Sequence, residues 1–210
     1  MKNKLLMMYN KLHRHFGPQN WWPAESPFEV MVGAILTQNT SWSNVEKAID
    51  CLKNKRLLSV TAMLRIPKAK LAASIKPAGY YNIKSGRLKD YLRYFLKEYK
   101  GRVKKMRLTD THDLRAELLS VRGIGPETAD SILLYALEKP VFVIDAYTKR
   151  ILSRHGFFKD DIAYQEAQSF FMTNLKKDVK LFNEFHALLV NLAKSYCRKR
   201  RPLCEKCPLR

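Results

Sequence analysis

The sequence has no long apolar run, because charged residues interrupt every hydrophobic stretch. No segment approaches the ~18 consecutive apolar residues that a membrane-spanning helix requires, so no membrane span is expected. The first residues, MKNKLLMMYNKLHRHFG, do not have the apolar core of a signal peptide, which predicts an intracellular protein. Internal repeats and low-complexity tracts are also absent. These absences indicate a globular protein of the cytoplasm.

Acidic residues are scarce, with 19 Asp and Glu against 39 Lys and Arg, and the formal net charge is +20. An excess of this size predicts a polyanionic partner, and nucleic acid is the first candidate. A membrane surface is the alternative. The 210 residues, of which 46% are hydrophobic, suffice for one large or two small domains.

Alternating apolar and polar residues, the pattern of a half-buried strand, do not occur over a useful length. Residues 141–144 could form a strand, but they have no partner strand, and we interpret them as an extended connector. Helical spacing is frequent elsewhere, and the predicted fold class is therefore all-α. Thr111 is expected to cap one helix. Tyr80 and Tyr81 are expected to anchor a turn rich in proline and glycine.

Glycine is rare, with eight in the chain, and two of them lie in LLSVRGIGPETAD. Gly123 and Gly125 would end one helix and let the main chain approach a ligand closely. Pro126 suits the first position of the next helix. Amides at such a helix start form an anion site; a plain helical hairpin is the alternative. The candidate DNA contacts here are Arg122, Gly123, Ile124, Gly125 and Lys149.

Cysteine is also rare, and three of the four cysteines lie in the tail CRKRRPLCEKCPLR. Cys197, Cys204 and Cys207 have a spacing that suits an iron–sulfur cluster or a zinc ion. Both centres usually take four protein ligands, and this chain supplies three here. The four cations between the first two cysteines predict phosphate contacts. They are Arg198, Lys199, Arg200 and Arg201.

Two further polar segments are candidates for contact with a base. Trp21 and Trp22 are adjacent in a loop, where they could stack on a base or fill a seam between helices. Gln38 and Asn39 follow an apolar helix, where their amides could fill the gap left by an extruded base or cap the helix.

The segments LLSVRGIGPETAD and VFVIDAYTKRIL and the cysteine tail, in that order, resemble the helix-hairpin-helix base-excision DNA glycosylases of the endonuclease III superfamily. GAILTQNT and KPAGYYNIKSGRLK are similar as well, so the resemblance covers roughly residues 23–207. It implies two helical domains with the active-site cleft between them. Residues 27–139 would form a six-helix domain with the hairpin. Residues 1–26 and 140–210 would form a second domain with a [4Fe-4S] cluster.

The resemblance also implies residue roles. Asp145 and Glu127 take the catalytic positions, with Asp145 stabilising an oxocarbenium-like sugar or activating water. The family's bifunctional members have a nucleophilic lysine where this chain has Glu127, so a monofunctional glycosylase is expected. A monovalent cation at the hairpin is a further expectation. The family's fourth cluster cysteine would fall about three residues beyond Arg210.

Trp21, Trp22 and the segment GAILTQNT are most similar to the bacterial 3-methyladenine DNA glycosylases. This predicts a monomer that acts on double-stranded DNA containing a damaged base, in a bacterial or archaeal nucleoid. Two alternatives remain. One is an endonuclease III-like glycosylase and AP lyase acting on oxidised pyrimidines or mismatches. The other is a non-catalytic helix-hairpin-helix DNA-binding protein.

Overall fold

A computed structural model describes all 210 residues, from Met1 to Arg210. It contains twelve α-helices and no β-strand, which confirms the all-α prediction. None of the helices combines the length and the apolar character needed to cross a membrane. The helices are α1 (Lys2–Phe16), α2 (Pro27–Leu36), α3 (Trp42–Asn54), α4 (Val60–Arg65), α5 (Lys68–Ser74), α6 (Tyr81–Tyr99), α7 (Val103–Leu108), α8 (Thr111–Ser120), α9 (Pro126–Ser131), α10 (Ala146–Arg154), α11 (Tyr164–Asn174) and α12 (Val179–Ser195).

The chain divides into two compact units. The hairpin unit comprises residues 24–139 and contains α2 to α9. The terminal unit comprises residues 1–23 and 140–210 and contains α1 and α10 to α12.

The hairpin unit is built around α2, in which residues 29–36 are all buried. Ser26 caps this helix by accepting a hydrogen bond from the Glu29 amide, and Pro27 occupies its first turn. The long helix α6 packs on α2 and on α5, and α9 continues as a π-turn over Ile132–Ala136 against α2. The two segments on either side of the glycine turn are thereby fixed to a rigid apolar core.

Two local expectations for this unit were wrong. Asp110, not Thr111, caps α8, because its Oδ1 accepts hydrogen bonds from the amides of His112 (2.7 Å) and Asp113 (3.3 Å). Tyr80 does not anchor its turn, since it is 65% exposed. Its left-handed backbone, with φ of +45°, follows the left-handed Gly79 and ends the turn at the surface.

The terminal unit is organised around α12, which is buried over most of its length. The segment 141–144 is extended and buried without pairing to a strand, as predicted for a connector. Its Phe142 stacks on Phe171 with ring centroids 3.8 Å apart and contacts Phe182 and Phe185 edge-on. This aromatic cluster fixes the connector immediately before Asp145.

Candidate functional site

The two glycines of the turn between α8 and α9 differ in backbone conformation and in the space around them. Gly123 has φ of +86°, and a Cβ there would lie 2.4 Å from the Cγ of Arg87. Gly125 has φ of −95°, and nothing lies within 4 Å of a Cβ built on it. The Ile124 amide closes the turn on the Val121 carbonyl at 3.0 Å, whereas the amides of both glycines have no acceptor within the chain. The turn therefore presents two unused backbone donors, which suits an anion.

The polar segment after α2 is tied to this turn through Gln38. Its Nε2 donates to the Gly123 carbonyl at 3.0 Å and to the Thr128 Oγ1 at 2.9 Å. Its Oε1 accepts a hydrogen bond from the Arg87 guanidinium on α6. Asn39, in contrast, is exposed and has φ of +53°. The structure thus brings Gln38 to the hairpin but leaves Asn39 at the surface.

A buried lysine that the sequence did not single out supports the same segment. Lys84 is 1% exposed, and its ammonium donates to the carbonyl of Leu36 at 2.8 Å and of Ala78 at 2.7 Å. Burial, together with the nearby Arg87 charge, lowers the pKa of Lys84 to about 8. The ammonium satisfies the last carbonyl of α2, and it thereby fixes where the Gln38 segment begins.

The predicted catalytic aspartate begins α10. The Oδ1 of Asp145 accepts a hydrogen bond from the Thr148 amide at 2.7 Å, which makes it the helix cap. Its Oδ2 lies 3.7 Å from the Nε2 of His186 on α12, and the two side chains are only 14% and 7% exposed. Burial lowers the pKa of His186, although the Asp145 carboxylate opposes this effect. The imidazole of His186 therefore faces the second carboxylate oxygen of Asp145.

His186 was missed as a site residue because its role depends on α10, which lies far from it in sequence. The available signal was a histidine within the amphipathic α12, away from the main apolar stripe. In the structure α12 is buried on this side too, so His186 is only 6% exposed.

The remaining catalytic candidate, Glu127, and the two tryptophans predicted to contact a base lie in different units. Glu127 is exposed in the first turn of α9. Trp21 and Trp22 are half-buried, with ring centroids 5.8 Å apart. The ammonium of Lys194, on α12, lies 6.0 Å from the Trp21 ring centroid. The tryptophan loop therefore already has one cation of the protein's own over an aromatic face.

The three tail cysteines line one cavity of about 260 Å³. Burial raises the pKa of the Cys207 thiol, and the neighbouring Cys197 and Cys204 raise it further. Their side chains do not converge closely enough to form a ready metal site. The donor type fits a soft metal centre.

Two arginines of α10 fix the backbone of the cysteine loop. Arg150 donates to the Cys197 carbonyl at 2.9 Å, and Arg154 donates to the carbonyls of Arg198 and Lys199 at 2.8 and 3.1 Å. The four predicted phosphate contacts on this loop are exposed. Lys149 differs, because its ammonium donates to the Ile162 carbonyl at 2.6 Å.

An all-helical chain with a glycine hairpin, a surplus of positive charge and a half-buried aspartate at a helix start has the features of a helix-hairpin-helix DNA-repair protein. Residues 32–177 match the HhH-GPD superfamily of base excision DNA repair proteins, and the chain belongs to that family. It is a DNA glycosylase of this superfamily that acts in DNA repair, and the predicted family is confirmed.

Three relatives illustrate the match. A Methanocaldococcus jannaschii protein provisionally named a DNA repair glycosylase is 49% identical over 100% of this chain and 96% of that protein. The structure of H. pylori 3-methyladenine DNA glycosylase (MagIII) bound to 1,N6-ethenoadenine has a TM-score of 0.80 at 30% identity. It covers 90% of this chain and 97% of that one. A trapped endonuclease III–DNA covalent intermediate has a TM-score of 0.86 at 21% identity over 100% and 93% of the two chains, which shows the same fold.

Proposed function

We propose that this glycosylase is monofunctional: it flips out an alkylated, 3-methyladenine-like base and hydrolyses the N-glycosidic bond without attacking the sugar itself. The observation that carries the proposal is the pair of carboxylates at its two helix starts, Asp145 on α10 and Glu127 on α9. Because neither is an amine, neither can form a Schiff base with the sugar.

Asp145 is the residue that acts at the reacting sugar. As the glycosidic bond breaks, its electron pair leaves with the base, and positive charge develops on the sugar. A water oxygen then bonds to the sugar carbon and releases a proton. The Asp145 carboxylate, held by the cap hydrogen bond from Thr148 at the start of α10, stabilises that charge. The Nε2 of His186 lies 3.7 Å from the second oxygen of Asp145 and covers that side of the carboxylate.

Glu127 replaces the lysine on which the lyase reaction of bifunctional family members depends. It is exposed in the first turn of α9 and suits the positive end of that helix. We infer that it takes no covalent part in the reaction, and that the abasic product leaves with its strand intact.

An alkylated purine fits this chemistry because an N3-methylated adenine is cationic and departs as a neutral base. The enzyme then needs little acid catalysis, only an extruded nucleotide and an aromatic surface. Trp21 and Trp22 supply that surface, with a cation–π contribution of about 1–2 kcal/mol if Lys194 moves away. The 30% identity to a 3-methyladenine glycosylase supports the same substrate class.

The hairpin binds the DNA backbone. Arg122 and the backbone amides of Gly123 and Gly125 donate hydrogen bonds to its phosphates. We assign the exposed cations Arg198 to Arg201 to further phosphates, and a monovalent cation at the hairpin would add one more bridge to the strand. The DNA partner is a duplex with a damaged base, and the protein acts as a monomer in the cytoplasm.

The test is release of free 3-methyladenine from alkylated duplex DNA. Wild-type protein should release it, and Asp145→Asn should be slower by about two orders of magnitude or more, as expected for loss of charge stabilisation. Asp113→Asn, which removes an exposed carboxylate from the first turn of α8, is the matched control and should react at the wild-type rate. Equal rates for Asp145→Asn and wild type would exclude this mechanism.

We also propose that Cys197, Cys204 and Cys207 are ligands of a [4Fe-4S] cluster, supported by their shared cavity and thiol chemistry. When bound, such a cluster would hold the loop that carries the phosphate-binding cations. The guanidinium of Arg154 lies 3.5 Å from the Cys197 sulfur and would offset part of the negative charge of the cluster and its thiolates. No step of the base-release chemistry depends on it.

A further inference from the structure

A basic groove of about 730 Å³ opens beside the hairpin in the hairpin unit. Five basic side chains and one carboxylate line it, together with Gly86 and Gly123. The basic residues are Lys68, Arg87, Lys89, Arg93 and Arg122. The groove therefore extends from the glycine turn across the first two-thirds of α6 to the start of α5.

Not all of these cations are available to a ligand. Lys89 donates to the carbonyls of Leu64 and Ile66, and Arg93 pairs with Asp90 at 2.8 Å. The Arg87 guanidinium donates a hydrogen bond to the side-chain oxygen of Gln38. Lys68 and Arg122, in contrast, are exposed and make no hydrogen bond or ion pair within the chain. Two uncommitted cations thus face one concave surface.

Gly86 lines the groove on the side formed by α6. It lies inside α6, where glycine costs about 1 kcal/mol relative to alanine. Its backbone is not left-handed, so helix geometry gives no reason for a glycine. A Cβ at this position would lie 3.4 Å from the Nζ of Lys68 and 3.5 Å from its Cε. These are ordinary van der Waals distances, so the end of the Lys68 side chain lies directly over the surface of α6 at Gly86.

We propose that this groove binds one additional backbone phosphate of the DNA, next to the segment that the hairpin holds, with Lys68 as its principal ligand. The proposal rests on the proposed function only in taking DNA as the bound polyanion. A backbone phosphate fits better than an isolated anion because the groove is open and continuous with the glycine turn. Arg122 at one end and Lys68 at the other would follow a strand rather than enclose a small molecule.

The test measures binding of an undamaged fluorescent duplex as a function of salt concentration. Each neutralised phosphate contributes about −0.9 to the slope of log affinity against log salt. Lys68→Gln should make this slope shallower by about 1 and weaken binding regardless of sequence. Lys68→Arg should restore the slope. Lys70→Gln is the matched control, since Lys70 is exposed on the same helix but does not line the groove, and it should behave as wild type.

Gly86→Ala is a second control. Its thermal midpoint should equal or exceed that of wild type, because alanine favours the helix. Its DNA affinity should stay near the wild-type value, because the added methyl makes only ordinary contact with the flexible end of Lys68. A wild-type slope for Lys68→Gln, or an equal change for Lys68→Gln and Lys70→Gln, would overturn the proposal. Because the duplex is undamaged, failure of base release would count against the proposed function and not against this groove.

Discussion

Replacing each hairpin glycine by alanine separates the folding role of the turn from its binding role. Gly123→Ala must adopt a left-handed backbone, which costs about 1–2 kcal/mol for a residue with a Cβ. The new methyl would also overlap the Arg87 stem, 2.4 Å away, and displace its charged hydrogen bond to Gln38. For a partly exposed pair this adds about 1–2 kcal/mol. The sum of about 2–4 kcal/mol corresponds to a fall in melting temperature of roughly 5–15 °C for a chain of this size.

Gly125→Ala should behave differently. Its backbone is extended, and nothing lies within 4 Å of the added methyl, so stability should stay within about 1 kcal/mol of wild type. DNA binding should still weaken by about tenfold, or ~1.4 kcal/mol, because the methyl lies where a phosphate must approach the free amide. Thermal denaturation followed by circular dichroism, with fluorescence anisotropy on a duplex, measures both quantities. Wild-type DNA affinity for Gly125→Ala would refute the claim that these amides bind a phosphate.

Three other predictions concern separate parts of the molecule. Because folding lowers the pKa of His186 below its ordinary 6.5, the unfolded chain binds that proton first as pH falls. Stability should therefore decrease below about pH 6.5. In urea unfolding across this range, His186→Gln should lose part of that pH dependence; an unchanged profile would show that His186 is not the group responsible. Borohydride trapping on lesion DNA should yield no covalent adduct with wild type, and an adduct would contradict the role given to Glu127. Protein purified without oxygen should show a blue-visible absorbance shoulder that Cys204→Ser diminishes, whereas a colourless zinc protein would exclude the iron–sulfur cluster.

Local sequence patterns were sufficient for the fold class and for the helix starts that carry the site. The spacing of apolar residues predicted helices, and the two glycines followed by Pro126 predicted where α9 begins. These features are set by residues within a turn or two of one another, so they can be read without tertiary information.

The remaining contacts could not be predicted because they join distant segments. The side chain of Gln38 forms hydrogen bonds with Gly123 and Arg87, which lie 85 and 49 positions away in the sequence. His186 faces Asp145 only because α12 packs on α10. The contact between the Lys68 side chain and Gly86 likewise depends on where α5 packs against α6. An isolated glycine, glutamine or histidine in a helical pattern carries no signal for such pairings.

The measurement that addresses the central claim most directly uses duplexes with one defined lesion each, resolved with and without alkali. The panel should contain an alkylated purine, an oxidised pyrimidine, a deaminated base and a mismatch. We predict base release at the alkylated purine, with strand breaks appearing only after alkali treatment. Strand cleavage without alkali, or release confined to oxidised pyrimidines, would contradict a monofunctional alkylpurine glycosylase.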